Sequence, residues 1–230
     1  MEFPEYPYPK EQSLTDFMYK VYGWMSFALA ITALVSYYVF KTEIYSYFKA
    51  SVGLMILLIV LQFALVIALS AFIMRMSYAT AVLMFMVYAV SVGMTLSFIF
   101  EVYTPGSIYS TFLVASFMFV ATALYGYFTK ADLTSMGSFA FMALIGIIIA
   151  SLVNIFLRSP MFDLIISIIG VFVFVLLTAY DTQKIKELGR KLIAPQMRKK
   201  IAILGALTLY LDFINLFLFL LRLMGQQKEN

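Results

Sequence analysis

The chain has 230 residues, of which 63% are hydrophobic and 12% charged, with a formal net charge of +4, whereas soluble domains average about 45–50% apolar and about 25% charged residues. That balance excludes a soluble fold and leaves no interval long enough for a soluble catalytic domain. With no His and no Cys, an imidazole base, a thiolate nucleophile, disulfides and structural zinc sites are excluded too, and what remains is oxygen chemistry suited to protons and hard cations.

In chain order, residues 1–20 read as a short extended tail. The opening MEFPEYPYPKEQ has three prolines and three acids but no basic stretch followed by an apolar one, so it is not a cleavable signal peptide. Seven apolar runs follow at 21–40, 52–73, 78–100, 108–128, 136–157, 161–180 and 201–224. Each can cross a bilayer core about 30 Å thick, which takes about 20 helical residues. The breaks have physical causes: Lys41, Glu43 and Lys49; Arg75; Glu101 with Pro105 and Gly106; Lys130 with Asp132. Ser159 before Pro160 reads as an N-cap with proline in the first turn, which starts the sixth span. The expected fold is therefore all-α, one seven-helix transmembrane domain over 21–224, with a short carboxyl tail at 225–230. No internal repeat is evident.

Counting Lys and Arg by side gives the expected orientation. Eleven lie with the amino terminus and the second, fourth and sixth loops, against five (Lys41, Lys49, Arg158, Arg222, Lys228) on the other side. The amino terminus is expected in the cytoplasm and the carboxyl terminus outside.

Most of the twelve acids lie in tails or loops, but Asp212 falls near the middle of the seventh span. An acid at a helix centre costs about 2.5–3.5 kcal/mol on insertion scales, so it must face protein or water. Steps of three and four through it give Gly205, Thr208, Asp212, Asn215, Phe219 and Arg222, one polar face amid Leu, Ile and Phe. Asp181, at the end of the sixth span, lies on a similar stripe with Asp163, Ser167, Gly170, Phe174 and Thr178, the face a neighbouring helix would present. Hydropathy raises a difficulty: counted from Ile201, Asp212 lies about 16 Å deep, while Asp181 lies at the boundary. A direct pair requires the sixth helix to continue past Asp181 or the seventh to start later. Asp132 and Glu101 read as solvated loop acids, the latter able to attract cations to the outer mouth.

The strings TAYDTQKIK (178–186) and ALTLYLDFINLFLFLLRLMG (206–225), preceded by LYGYFTKADL (124–133), resemble the Bax inhibitor-1 family, also called the transmembrane Bax inhibitor motif family. The short form resembles its bacterial branch, hence an inner-membrane location. The resemblance implies that the last helix is central, surrounded by the other six. It further implies a pH-sensitive calcium leak controlled near its cytoplasmic end by two aspartates, which match Asp181 and Asp212. A family arginine of the second helix is associated with that pair, and Arg75 is the only basic residue near that helix here, so it is the candidate latch.

On this reading two carboxyls in a low-dielectric site do not readily hold two negative charges, so one proton is shared and acts as the switch. Calcium is expected as a weakly held transported ion rather than a cofactor, with Asp181 and Asp212 supplemented by Thr208, Asn215, Thr178 and water. Enzyme activity is not expected. Tyr180-Asp181 matches the first motif of intramembrane aspartyl proteases, but Leu209-Tyr210-Leu211-Asp212 lacks the second motif's G-x-G-D, and the last span has no lysine for a retinal Schiff base. The rivals are a membrane regulator that binds another membrane protein, such as a protease or a death-pathway component, without transport, and a proton-coupled cation exchanger.

Overall fold

The computed structural model describes residues 10–191 and 194–228. Its helices are α1 (Lys10–Lys41), α2 (Ile44–Ala50), α3 (Val52–Phe72), α4 (Tyr78–Leu96), α5 (Ile99–Val102), α6 (Pro105–Phe128), α7 (Thr134–Leu157), α8 (Pro160–Lys191) and α9 (Pro195–Met224). Among the described residues, seven stretches are long and apolar enough to span a membrane, with α4 and α5 together making the third. Helix starts fall where hydroxyl side chains accept the first free amides: Thr80 N donates to Ser77 Oγ at 3.1 Å and Phe162 N to Ser159 Oγ at 3.3 Å. Proline opens α6, α8 and α9, where its missing N–H costs nothing.

Three of the boundaries differ from the hydropathy reading, all at one end of the bundle. Residues 1–9 lie outside the described residues, but 10–20 are helical rather than extended, and α1 buries Leu14, Phe17 and Met18 there. The sixth helix does not stop at Tyr180, and the seventh begins at Pro195, so the connection expected as a loop of about 20 residues is almost wholly helical. Hydropathy marks where a helix meets lipid, not where it ends. Beyond Tyr180, α8 continues as an amphipathic helix whose Thr182, Ile185, Lys186 and Gly189 face protein while Lys184, Glu187 and Arg190 face out. Gly189 packs against Phe17 and Leu14 of the α1 extension, and Arg198 donates to the Gly189 carbonyl at 3.2 Å. We call this the basic end.

Helix α9 is central and packs against α1, α4, α6 and α8. Helix α3 joins the bundle chiefly through α4, and α7 through α8, so four of the other spans rather than six form the main wall around α9. The α1/α4 side is fastened by a polar chain. Thr32 donates its one hydroxyl hydrogen to the Ala89 carbonyl at 2.9 Å, so Tyr210, 2.7 Å away, donates to Thr32. Removing that hydroxyl with Tyr210→Phe is expected to cost about 0.6 kcal/mol, the average for such interhelical bonds, read as a small drop in the unfolding midpoint in detergent. At the opposite end, residues 225–228 cross the α5–α6 turn: Tyr103 and Gln227 form an isolated bridge, and Lys228 Nζ donates to the Phe100 carbonyl at 2.7 Å.

Candidate functional site

The two aspartates lie on the α8–α9 seam, whose register follows from its contacts. Ile185 packs against Gly205, Gly170 against the Phe219 ring, and Phe174 stacks on Phe219 with centroids 5.8 Å apart. Farther along, Arg222 pairs with Asp163 at 3.8 Å. Equal steps along two antiparallel helices then bring Thr178 level with Asp212, and Asp181 level with Leu209. The two acids differ in height by three residues, about 4.5 Å. Each is also correctly phased: Asp181 is four residues before Ile185 and seven after Phe174, and Asp212 is seven from both Gly205 and Phe219. The two polar stripes legible in the sequence thus face each other, and the depth difficulty is resolved by the continuation of α8 to Lys191, ten residues past Asp181.

The two sites differ in solvation. Asp212 is 4% exposed, and its Oδ2 has no hydrogen-bond partner. Asp181 is half-buried, and its charge acts on Asp212 through space. Lys184, exposed on the next turn, is the cation that acts on Asp181. A buried carboxyl oxygen without a partner is rare and costly, and at Asp212 a proton, a cation or a water could each relieve it.

The supporting polar residues do not turn to the aspartates. Thr178 donates to the Phe174 carbonyl at 2.7 Å, Thr208 to Leu204 at 3.1 Å and Asn215 to Leu211 at 2.8 Å, each one turn back on its own helix. By the α8–α9 register, Thr178 stands level with Asp212. Among the described residues no three carboxylates converge, so a cation at the pair would complete its shell with hydroxyls and water.

Arg75 is not brought to the pair. It is exposed on the α3–α4 turn, a turn held at the basic end by Lys200, whose Nζ donates to the Met74 and Met76 carbonyls at 3.0 and 3.2 Å. Lys200 is twelve residues from Asp212, about 18 Å along α9, beyond the reach of an arginine side chain. Glu101 is not a free outer-mouth acid, since Tyr45 Oη and Lys49 Nζ both donate to its carboxylate. Asp132 accepts from the Thr134 backbone N–H and hydroxyl at 2.9 and 2.6 Å, at the start of α7.

Sequence reasoning missed Thr182, Gln183 and Lys186, although all three lie inside TAYDTQKIK. Thr182 is fully buried and faces the Tyr22 hydroxyl of α1. Gln183 clamps the α6–α7 connection, accepting from Leu133 N at 2.9 Å and donating to the Ala131 carbonyl at 2.8 Å. Following the helical period past the hydropathy edge would have found them, because they continue the buried face of α8.

Comparison with known proteins shows the family. Residues 14–229 match the family model described as "Inhibitor of apoptosis-promoting Bax1". The chain is 49% identical to the inner membrane protein YbhL of Escherichia coli, over 94% of this chain and 93% of that one. It is 43% identical to an uncharacterised protein of Borreliella burgdorferi, over 93% of each, and 43% identical to protein RP147 of Rickettsia prowazekii, over 95% of this chain and 93% of that one. The chain, a seven-span integral membrane protein with two aspartates on its α8–α9 seam, belongs to the Bax inhibitor-1 family.

Proposed function

We propose that the protein is a pH-gated calcium leak of a bacterial inner membrane, its basic end in the cytoplasm, with Asp181 and Asp212 as sensor and ion site. The observation that carries this is the unpartnered Oδ2 of Asp212, buried beside a second carboxyl on the neighbouring helix. A proton shared by the two acids removes one charge and bridges α8 to α9. Its loss leaves two carboxylates whose repulsion loosens the seam and whose joint charge attracts a divalent cation. Two carboxylates with hydroxyls and water make a weak calcium site, as conduction requires, since an ion must leave as readily as it arrives. The protein on this reading is not an enzyme.

The test is calcium uptake by liposomes holding the purified protein alone, measured across a pH series. Uptake is expected to rise as pH increases and the shared proton is lost. No uptake at any pH would favour a regulator acting through a partner membrane protein. Uptake matched by stoichiometric proton counterflow would favour an exchanger.

A further inference from the structure

A cavity of about 650 Å³ opens at the basic end between the α6–α7 connection and the continuation of α8. Its size lies within the range of ligand sites, and neither aspartate lines it. Lys186 stands in its wall. This lysine is 6% exposed; its Nζ donates to the Tyr127 carbonyl at 2.5 Å and lies 5.4 Å from the Tyr127 ring centroid. That uses one of three N–H donors, and among the described residues no carboxylate forms an ion pair with it. Glu187, exposed at the next position, acts on it only through space, so no paired carboxylate holds its remaining N–H donors.

The surrounding charges do not cancel it. Arg190 and Lys130 line the same cavity, and Arg190 acts on Lys186 electrostatically in opposition to Glu187. Two acids, Glu187 and Asp132, also line it, leaving an excess of one positive charge. One Asp132 oxygen is occupied: Thr134 donates to it twice, which holds this carboxyl below its ordinary range and keeps it ionised. Arg190 and Lys186 together supply a planar fork and a point charge, the combination that suits a phosphate group. At the rim, Phe128 ends α6 and is 72% exposed, an apolar ring beside a polar loop, as at the depth where lipid headgroups sit.

We propose that this cavity binds a phosphate group, presented either by the headgroup of an anionic phospholipid or by a soluble phosphate. Lys186 and Arg190 hold the phosphate oxygens and Lys130 adds charge at the mouth. Because the cavity is built from α8 and the α6–α7 connection, its occupancy would bear on the same helix that carries Asp181. The proposal nonetheless stands or falls independently of calcium transport.

The full chain in neutral detergent is titrated with inorganic phosphate, short-chain phosphatidylglycerol and short-chain phosphatidylcholine. Bound mass is read by native mass spectrometry and affinity by the shift of the unfolding midpoint. Phosphatidylglycerol or phosphate is expected to bind one per chain. The double variant Lys130→Gln/Arg190→Gln, which changes only exposed side chains, is expected to bind at least tenfold more weakly. Lys49→Gln at the opposite end is expected to bind as the natural chain does. Binding of phosphatidylglycerol alone identifies a lipid source, and equal binding of inorganic phosphate a soluble one. The proposal is overturned if neither ligand binds, if phosphatidylcholine binds as tightly as phosphatidylglycerol, or if the double variant binds unchanged.

Discussion

Replacing Asp212 by Asn is expected to lower calcium uptake at high pH by at least about tenfold and to flatten its dependence on pH. The magnitude follows from Coulomb's law: a unit charge about 4 Å from a cation is worth about 4 kcal/mol at an effective dielectric of 20, and a divalent ion feels it twice. Asparagine keeps the shape of aspartate and one of its acceptor oxygens, so the helix remains, but it carries neither the charge nor the titratable proton. Asp181→Asn is expected to flatten the same profile less completely, because Asp181 is half-buried and stays in contact with solvent. If Asp212→Asn leaves both the uptake and its pH profile unchanged, the gating mechanism is wrong. A fluorescence-monitored unfolding scan on each variant separates lost conduction from lost folding.

Gly126→Ala is expected to be strongly destabilising for so small a change. A Cβ on Gly126 of α6 would run into the backbone of Ala179 on α8, whose carbonyl oxygen and Cα cannot rotate aside as a side-chain tip can. Membrane helices approach this closely only where small residues permit it. Forcing them apart costs about 1–3 kcal/mol, as overpacking does elsewhere. The unfolding midpoint in detergent should fall by several degrees. The displaced segment of α8 lies two residues from Asp181, so the variant is also expected to change calcium uptake in liposomes. Gly106→Ala, where an added Cβ meets nothing within 4 Å, is the control and should leave the midpoint unmoved.

How much of this was legible in the sequence varied with the kind of signal. The spans are apolar runs, and the bilayer imposes their length, so all seven were readable. The facing stripes were readable because helical phase alone puts Gly170 with Asp181, and Gly205 with Phe219. Asp181's standing was not readable in the same way, since hydropathy ended the helix at Tyr180. The buried face continues through Thr182, Ile185 and Gly189, yet charged residues interleaved at the same period pull the average down. Arg75 failed for a different reason. Its span was located correctly, but the height of a turn relative to a residue on another helix depends on tilt and packing, here on Lys200 gripping the Met74 and Met76 carbonyls. The Gln183 clamp joins residues about fifty positions apart, a separation that no local pattern reveals.

The way α9 is fastened has a mechanical consequence. On one flank the Tyr210, Thr32 and Ala89 chain ties it to α1 and α4. On the other, toward the end away from the basic loops, Phe219 is seated against Gly170, and Arg222 reaches Asp163. Phe112 of α6 also wedges its ring against Phe213, with centroids 5.5 Å apart. A force that parts α8 from α9 at the aspartates therefore meets a fixed fulcrum several turns away. Motion at the seam would be that of a lever rather than a sliding rod: a tilt of only a few degrees about that pivot is multiplied along the shaft, so the contacts that would have to give first are those on the tail of α8, the Gln183 clamp and the Gly189 packing.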